Sequence, residues 1–119
     1  MRNGSSPHVR VLLVDDAPAF REVARELLEL RGYVIAGEAD SAMGAMQAAE
    51  ELAPDAMLLD VHLPDGNGFE VAAAATRANP ELAILLVSGD DLSEHCKAGP
   101  WRGFVCKSRL ASVDFAQFW

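Results

Sequence analysis

The sequence is poor in cysteine, aromatic residues and positive charge. It has two cysteines, one tyrosine and 7% aromatic residues in 119. Cys96 and Cys106 form neither a disulfide framework nor a spaced metal motif, and they read as reduced, structural thiols. Ten Lys and Arg stand against 18 Asp and Glu, a formal net charge of −8. The ten are scattered, which argues against a nucleic-acid surface, because phosphate contacts need clustered Lys and Arg. Long apolar runs are missing too. Leu82–Val87 is the longest notable one, six residues, against the roughly 20 that a membrane-spanning helix needs. The opening stretch, Met1–Arg10, is polar and has no apolar signal core, so a cytoplasmic protein is expected.

What is present is a globular composition. Half of the residues are hydrophobic, enough for one domain with a real core at this length. Residues 1–8 read as a flexible leader and 9–119 as a single domain. A near-continuous apolar strand reaches Val14 and meets Asp15-Asp16. Phe20, Val23, Ala24, Leu27 and Leu28 then fall on one helical stripe, with Arg21, Glu22, Arg25, Glu26 and Glu29 on the wet side. Gly32 suits a helix C-terminus, and Tyr33–Ala36 gives a second strand. Asp40 or Ser41 can cap the next helix, whose buried face is Ala42, Ala45, Met46, Ala49 and Leu52 or Ala53. Met43 and Met57 also fall at core positions.

Ala56–Asp60 is an apolar run ending in a carboxylate, the pattern of a strand buried on both faces. Pro64-Asp65-Gly66-Asn67-Gly68 breaks the chain after it. An alanine-rich helix covers about 69–78, Leu82–Val87 is the fourth strand, and a short helix fits 91–97. Gly103–Cys106 is a brief fifth strand leading into Lys107, followed by a short last helix with Ser112 as its cap. Strands alternating with amphipathic helices indicate a parallel α/β sheet with helices on both faces. The doubly wound order 2-1-3-4-5 follows, with its switch point between the first and third strands.

That order gathers Asp15, Asp16, Asp60, Ser88 and Lys107 at one edge of the sheet. Three carboxylates in one crevice repel; at an effective dielectric near 20 a close pair costs about 4 kcal/mol at ~4 Å. Such a cluster calls for a cation, and an all-oxygen set without Cys or His suits Mg²⁺ better than zinc. Carboxylates, Mg²⁺, a lysine and a hydroxyl are the parts needed to move a phosphoryl group. Asp60 is then the nucleophile of an acyl phosphate, and Lys107 neutralises oxygen charge. Ser88 would bind the product, whose nearly two added negative charges can draw its loop inward.

Four segments in this order resemble a response-regulator receiver domain of two-component signalling: Val11–Asp16, Leu58–Gly68, Val87-Ser88 and Gly103–Lys107. The resemblance covers about 9–110 and implies a flavodoxin-like five-stranded fold. It implies Asp60 as phosphoacceptor and Asp15, Asp16, Asp60 and the backbone carbonyl of His62 as the Mg²⁺ site, with Asp15 acting largely through water. It further implies Ser88 as the switch hydroxyl, Lys107 as the phosphate-contacting lysine and Phe104 as an aromatic that changes burial on activation. The implied partners are a histidine kinase or phosphotransfer protein upstream, and a downstream protein target or a second copy of the chain. Arg21 and its neighbours resemble the branch whose members carry a DNA-binding output domain; only 12 residues follow Lys107, so none is expected here.

The departures are local. Ser88 and Lys107 stand 19 positions apart, less than is usual in the family, so the fourth helix is expected to be clipped or replaced by a loop. Ser108 stands where receivers commonly have proline, so no cis-proline turn is expected. The fifth helix should be short, and Trp101, Phe115, Phe118 and Trp119 are expected to form one apolar patch that covers the sheet or meets a partner. Simpler readings stand beside these. Asp16 alone could be a helix N-cap, Ser88 alone a turn residue, and Phe104 plain core. The His62 side chain could tune water access or lie idly on the surface, while His8 and His95 read as structural. A phosphorylation-independent interaction module and a Mg²⁺-dependent phosphohydrolase are the alternative functions.

Overall fold

The computed structural model describes residues 8–119. Most of the expected leader therefore lies outside the described residues; its last residue, His8, is exposed and its Nδ1 donates to the Gly32 carbonyl at 3.2 Å. The elements are β1 (Arg10–Val14), α1 (Pro18–Leu30), β2 (Val34–Ala39), α2 (Ala42–Leu52), β3 (Ala56–Asp60), β4 (His62–Leu63), β5 (Gly66–Asn67), α3 (Gly68–Ala78), β6 (Ala83–Ser88) and β7 (Gly103–Cys106). Two 3₁₀ turns follow, Lys107–Ser112 and Phe115–Gln117. The five long strands form a parallel sheet in the order β2-β1-β3-β6-β7, which is the expected 2-1-3-4-5 arrangement once the small β4–β5 hairpin is set aside.

Burial explains why the central strands are unbroken apolar runs. Every residue of β3 and β6 is buried, as parallel strands with helices on both faces require. Their side chains alternate between two cores. Leu12, Val14, Met57, Leu59, Ile84 and Leu86 pack toward α2 and α3. Val11, Leu13, Leu58, Leu85 and Val87 pack toward α1 and the C-terminal segment. Within α1, Ala24 and Leu28 are buried, but Val23 is 59% exposed. It lies at the rim of the predicted stripe, beyond the width the sheet covers. Met43, placed in the core by its spacing, is 68% exposed; it sits in the first turn of α2, ahead of the buried Ala45.

The second strand continues past Ala36. A bulge between Val11 and Leu12 absorbs that residue, so Val11 pairs with Ile35 and Leu12 with Gly37, and pairing runs on to Ala39. The α2 cap is Ser41, whose Oγ accepts the Gly44 amide at 2.9 Å. A second cap comes from a distant loop: the Asp65 carboxylate accepts the amides of Ala42 at 2.6 Å and Met43 at 3.0 Å. Asn67 caps α3 through the Glu70 amide. Gly68 has no room for a side chain, since an added Cβ would stand 2.5 Å from the Asp60 carbonyl oxygen.

The C-terminal third departs from the expected helices. Residues 91–101 form turns and bends, not a fourth helix. Only 89–102 connect β6 to β7, Asp91 folds back to accept the Ser93 amide, and Gly99-Pro100 stops any regular run. Cys96 and Leu92 still reach the core on the α3 side. Trp101 joins them, donating its Nε1–H to the Cys96 carbonyl at 3.0 Å and packing 5.3 Å from Phe69.

No fifth α-helix forms either. The Arg31 guanidinium donates to the carbonyls of Ala111 and Val113, taking acceptors that a helix would give to its own amides. Ser112 is therefore not a cap, and its hydroxyl bonds back to the Arg109 carbonyl. Asp114 caps the last turn instead, accepting from Ala116. The four aromatic residues expected in one patch are split by the sheet. Trp101 lies on the α3 side. Phe115, Phe118 and Trp119 lie on the α1 side, where Phe115 is 1% exposed and stacks 5.0 Å from Trp119.

Two predictions follow from this packing. Phe115→Ala removes a fully buried ring and lowers unfolding stability by about 3–5 kcal/mol, readable in a urea titration. Asp65 carries the second. Hydrogen bonds from Ala42 and Met43 hold its carboxyl below the usual range, so its stabilisation is present above the unfolded-state pKa and lost as pH falls through the folded value. Asp65→Ala therefore has a lower Tm than the unsubstituted protein at pH 7, and thermal scans converge in acid.

Candidate functional site

The carboxyl ends of β1, β3, β6 and β7 meet at one edge, and the residues there are unlike the strands that deliver them. Asp15, Asp60 and Ser88 are the buried polar residues of the described chain, at 2%, 4% and 0% exposure. Asp16 is exposed. One carboxylate oxygen from each of Asp15, Asp16 and Asp60 lies within 4.8 Å of the others. Asp60 is fixed by its own turn, Oδ1 accepting the His62 amide at 3.0 Å. Asp15 is fixed in the same way, Oδ1 accepting the Ala17 amide at 2.8 Å. Ala17 is the N-cap residue of α1 and no side chain caps it, so Asp16 is free of the capping role.

Lys107 closes the cluster. It directly follows β7, and its Nζ stands 2.7 Å from Asp15 Oδ2 and 3.2 Å from Asp60 Oδ2. The contact to Asp60 is a hydrogen bond. The contact to Asp15 is a close ion pair that gives that buried oxygen its partner. Burial is the main influence raising the Asp60 carboxyl above its ordinary pKa; the Asp15 charge adds to it, while the His62 amide and Lys107 oppose it. Burial also pulls the Lys107 ammonium down, but its bond to Asp15 and the charges of Asp60 and Asp15 outweigh this, so its pKa is raised.

The three acids and Lys107 carry a formal charge sum of −2, which a divalent cation balances. The donors are all oxygen, one from each acid within reach of a shared ion. Asp15, Asp16 and Asp60 thus fit a hard cation of the Mg²⁺ kind better than zinc.

The other predicted residues are placed as follows. Ser88 ends β6 on the same edge, with its Oγ accepting the Asp90 amide at 3.1 Å. Phe104 pairs in register with Leu86 and is half-buried against the α3-side core. His62 reaches Asp60 through its amide, while its ring is exposed, with Nε2 3.7 Å from Asp90 Oδ2. Sequence reading missed two supports. Arg21, placed on the wet side of α1 and given no part in the site, donates to the Asp15 carbonyl at 2.5 Å and to Glu38 at 2.9 Å. Phe20, assigned only to the apolar stripe, sets its ring 4.5 Å from Lys107 Nζ. Both stand within one and a half helical turns of the acid pair, which is the signal that could have found them.

This sheet order, with acidic residues at the carboxyl edge of its strands, defines a flavodoxin-like α/β domain, and comparison with known proteins places it. The chain belongs to the response regulator receiver domain family, whose model matches residues 11–107. It is 33% identical over 101 residues to BvgA of Bordetella pertussis, named as a positive transcription regulator of virulence factors, covering 82% of this chain and 48% of that protein. It is also 33% identical over 79 residues to the chemotaxis protein CheY of Thermotoga maritima, covering 66% of each. The chain thus spans about half the length of curated relatives such as BvgA. Among solved structures, the signal receiver domain of NarL from Mycobacterium tuberculosis superposes with a TM-score of 0.77 at 31% identity, covering 90% of this chain and 93% of that one. A CheY-like receiver from Methanospirillum hungatei gives 0.77 at 25% identity, covering 85% and 82%. The protein is thus a receiver domain of two-component response regulators. Among the described residues, no helix is long and apolar enough to cross a membrane.

The raised Asp60 pKa has a consequence for stability. A carboxyl whose folded pKa lies above its unfolded value favours folding most below the unfolded pKa, and that contribution is lost as pH rises through the folded value. Without divalent cations, Asp60→Asn is therefore more stable than the unsubstituted protein at pH 7, and the gap narrows toward pH 3, as measured by thermal unfolding.

Proposed function

We propose that this domain is a phosphoryl-accepting switch in which Asp60 takes a phosphoryl group from a histidine kinase or phosphotransfer protein, and which signals through protein contacts in the cytoplasm. The observation that carries this reading is the Lys107 ammonium set between the buried carboxylates of Asp15 and Asp60. An acid pair, a third carboxylate and a lysine converge from strands far apart in sequence, and a structural ion pair does not need all four.

Asp15, Asp16 and Asp60, with the His62 backbone carbonyl, would hold Mg²⁺. When bound, the ion neutralises charge on the transferring phosphoryl oxygens. The protein's own groups do the rest. One Asp60 oxygen forms the bond to phosphorus as the bond from phosphorus to the donor nitrogen, or to the acetate oxygen of acetyl phosphate, breaks. The leaving group carries away the bonding electron pair, and Asp60 becomes an acyl phosphate. The His62 amide orients the carboxylate, and Lys107 offsets charge on a phosphoryl oxygen. The product adds nearly two negative charges, and Ser88, whose Oγ accepts the Asp90 amide, would donate its hydroxyl proton to a phosphoryl oxygen and be drawn toward it. Phe104, on the adjacent strand, would change burial with that movement.

A phosphorylation-independent interaction module is the second reading. It is favoured by one observation, the replacement of the fourth and fifth helices by residues 91–101 and two 3₁₀ turns.

Incubation with Mg²⁺ and acetyl phosphate, read by intact mass, separates the two. The phosphoacceptor gains one hydroxylamine-labile phosphate, Asp60→Asn gains none, and Lys107→Ala is slower by about a hundredfold. An unmodified protein under these conditions supports the second reading. Mg²⁺ alone raises the Tm of the unsubstituted protein, and Asp16→Ala removes most of that rise.

A further inference from the structure

We infer that Phe20 is a positioning residue for the Lys107 ammonium, holding it through the face of its ring; the inference rests on the phosphoacceptor reading of Asp60. Lys107 Nζ is bounded by Asp15 Oδ2 at 2.7 Å, Asp60 Oδ2 at 3.2 Å and the Phe20 ring centroid at 4.5 Å. A cation this close to an aromatic face is attracted by the ring's quadrupole, more strongly where water is excluded. The lysine side chain is 24% exposed and both carboxylates are almost fully buried.

The two acids cannot hold the lysine alone throughout the reaction. Asp60 gives up a carboxylate oxygen to phosphorus, and Asp15 is one of the three carboxylates that can share a metal. When both turn to other partners, the ring is the contact that does not change. Its position is fixed by the turn that carries the acids. Phe20 is the third residue of α1, and the helix start is pinned by the Ala17 amide on Asp15 and the Arg21 guanidinium on the Asp15 carbonyl. Phe20 is only half-buried, packed at the margin of the α1-side core. The ring thus meets both the core and the lysine.

A packing role and a positioning role separate experimentally. Phe20→Leu keeps apolar bulk without a ring face, Phe20→Met does so with a more adaptable chain, and Phe20→Tyr keeps the ring. At saturating acetyl phosphate and Mg²⁺, we expect the rate of Asp60 modification to fall about three- to ten-fold in Phe20→Leu and Phe20→Met. Phe20→Tyr should stay near the unsubstituted rate. The half-saturating Mg²⁺ concentration should change by less than about two-fold, because the ring touches the lysine and not the acids. The Lys107 Hε protons, which a ring face shifts upfield in ¹H–¹³C spectra, should move toward their random-coil position in the Leu and Met variants only. Folded Leu and Met variants with unchanged rates, a Tyr variant as slow as Leu, or unshifted Hε protons in the unsubstituted protein would each overturn the inference and leave the phosphoacceptor reading standing. Failure of the unsubstituted protein to take phosphate at Asp60 would overturn both.

Discussion

The ammonium of Lys107 lying between two buried carboxylates is the constraint on which the rest of this structure depends. Asp15 and Asp60 are 2% and 4% exposed, and isolated ionised groups cannot be buried at tolerable cost. Each is instead fixed by a backbone amide of its own turn and shares one cation with the other. The strand order follows from the same need. Only with β1 and β3 adjacent, and β7 on the same sheet in parallel, do residues 15, 60 and 107 reach one edge. The cation is incomplete compensation: three acids and one lysine leave two formal negative charges at this edge. Apolar residues there would pack at less electrostatic cost. The Asp60 carboxylate in particular stands there at a cost to stability, since burial raises its pKa.

Around that edge the supports are local and tight. Gly68 lets α3 start against the Asp60 carbonyl, where a single methyl group would collide. Asp65 and Asn67, in the same short segment, cap α2 and α3. The stretch after the phosphoacceptor candidate is thus the anchor for two helices as well as a turn. Arg21 ties α1 to the Asp15 carbonyl and to Glu38 at the end of β2. A displacement of any one of these residues would be transmitted to Asp60 or Asp15 through one or two contacts, with little slack in the close-packed layers beneath.

Much of this was legible in the amino-acid sequence because burial writes simple patterns. Continuous apolar runs marked β1, β3 and β6, and their terminal residues marked the site. Periodicity marked α1 and α2 and alanine content marked α3; Val23 was misjudged because a stripe's rim cannot be told from its centre without knowing how wide the covering surface is, and Met43 because it lies off the α2 face. Other features could not be read, since they arise from contacts between distant segments. The bulge that carries β2 to Ala39 depends on pairing with β1. The irregular last segment is tied to Arg31, some 80 positions upstream, whose guanidinium donates to the Ala111 and Val113 carbonyls. The split of the aromatic residues between two faces follows from where the chain crosses the sheet after β6. Phe20 looked like core because its spacing is that of core, and the ammonium over its ring comes from the far end of the chain.

The rebuilt C-terminal third and the intact acidic edge belong together in one argument. Every contact that fixes Asp15, Asp60 and Lys107 comes from the strand ends, from α1 or from the turn after β3, and none comes from residues 91–101 or 113–119. Replacing the fourth helix by a loop and the fifth by 3₁₀ turns therefore leaves the charge cluster undisturbed. What changes is the surface next to β7, where Phe104 now faces a loop tethered through Trp101 and Cys96 in place of a regular helix. A loop of this kind has fewer backbone hydrogen bonds of its own than a helix, so less free energy separates its alternative arrangements. The contacts that hold the charge cluster and those that shape the surface beside β7 thus come from different segments, joined through the β6 and β7 strand ends that carry Ser88 and Lys107.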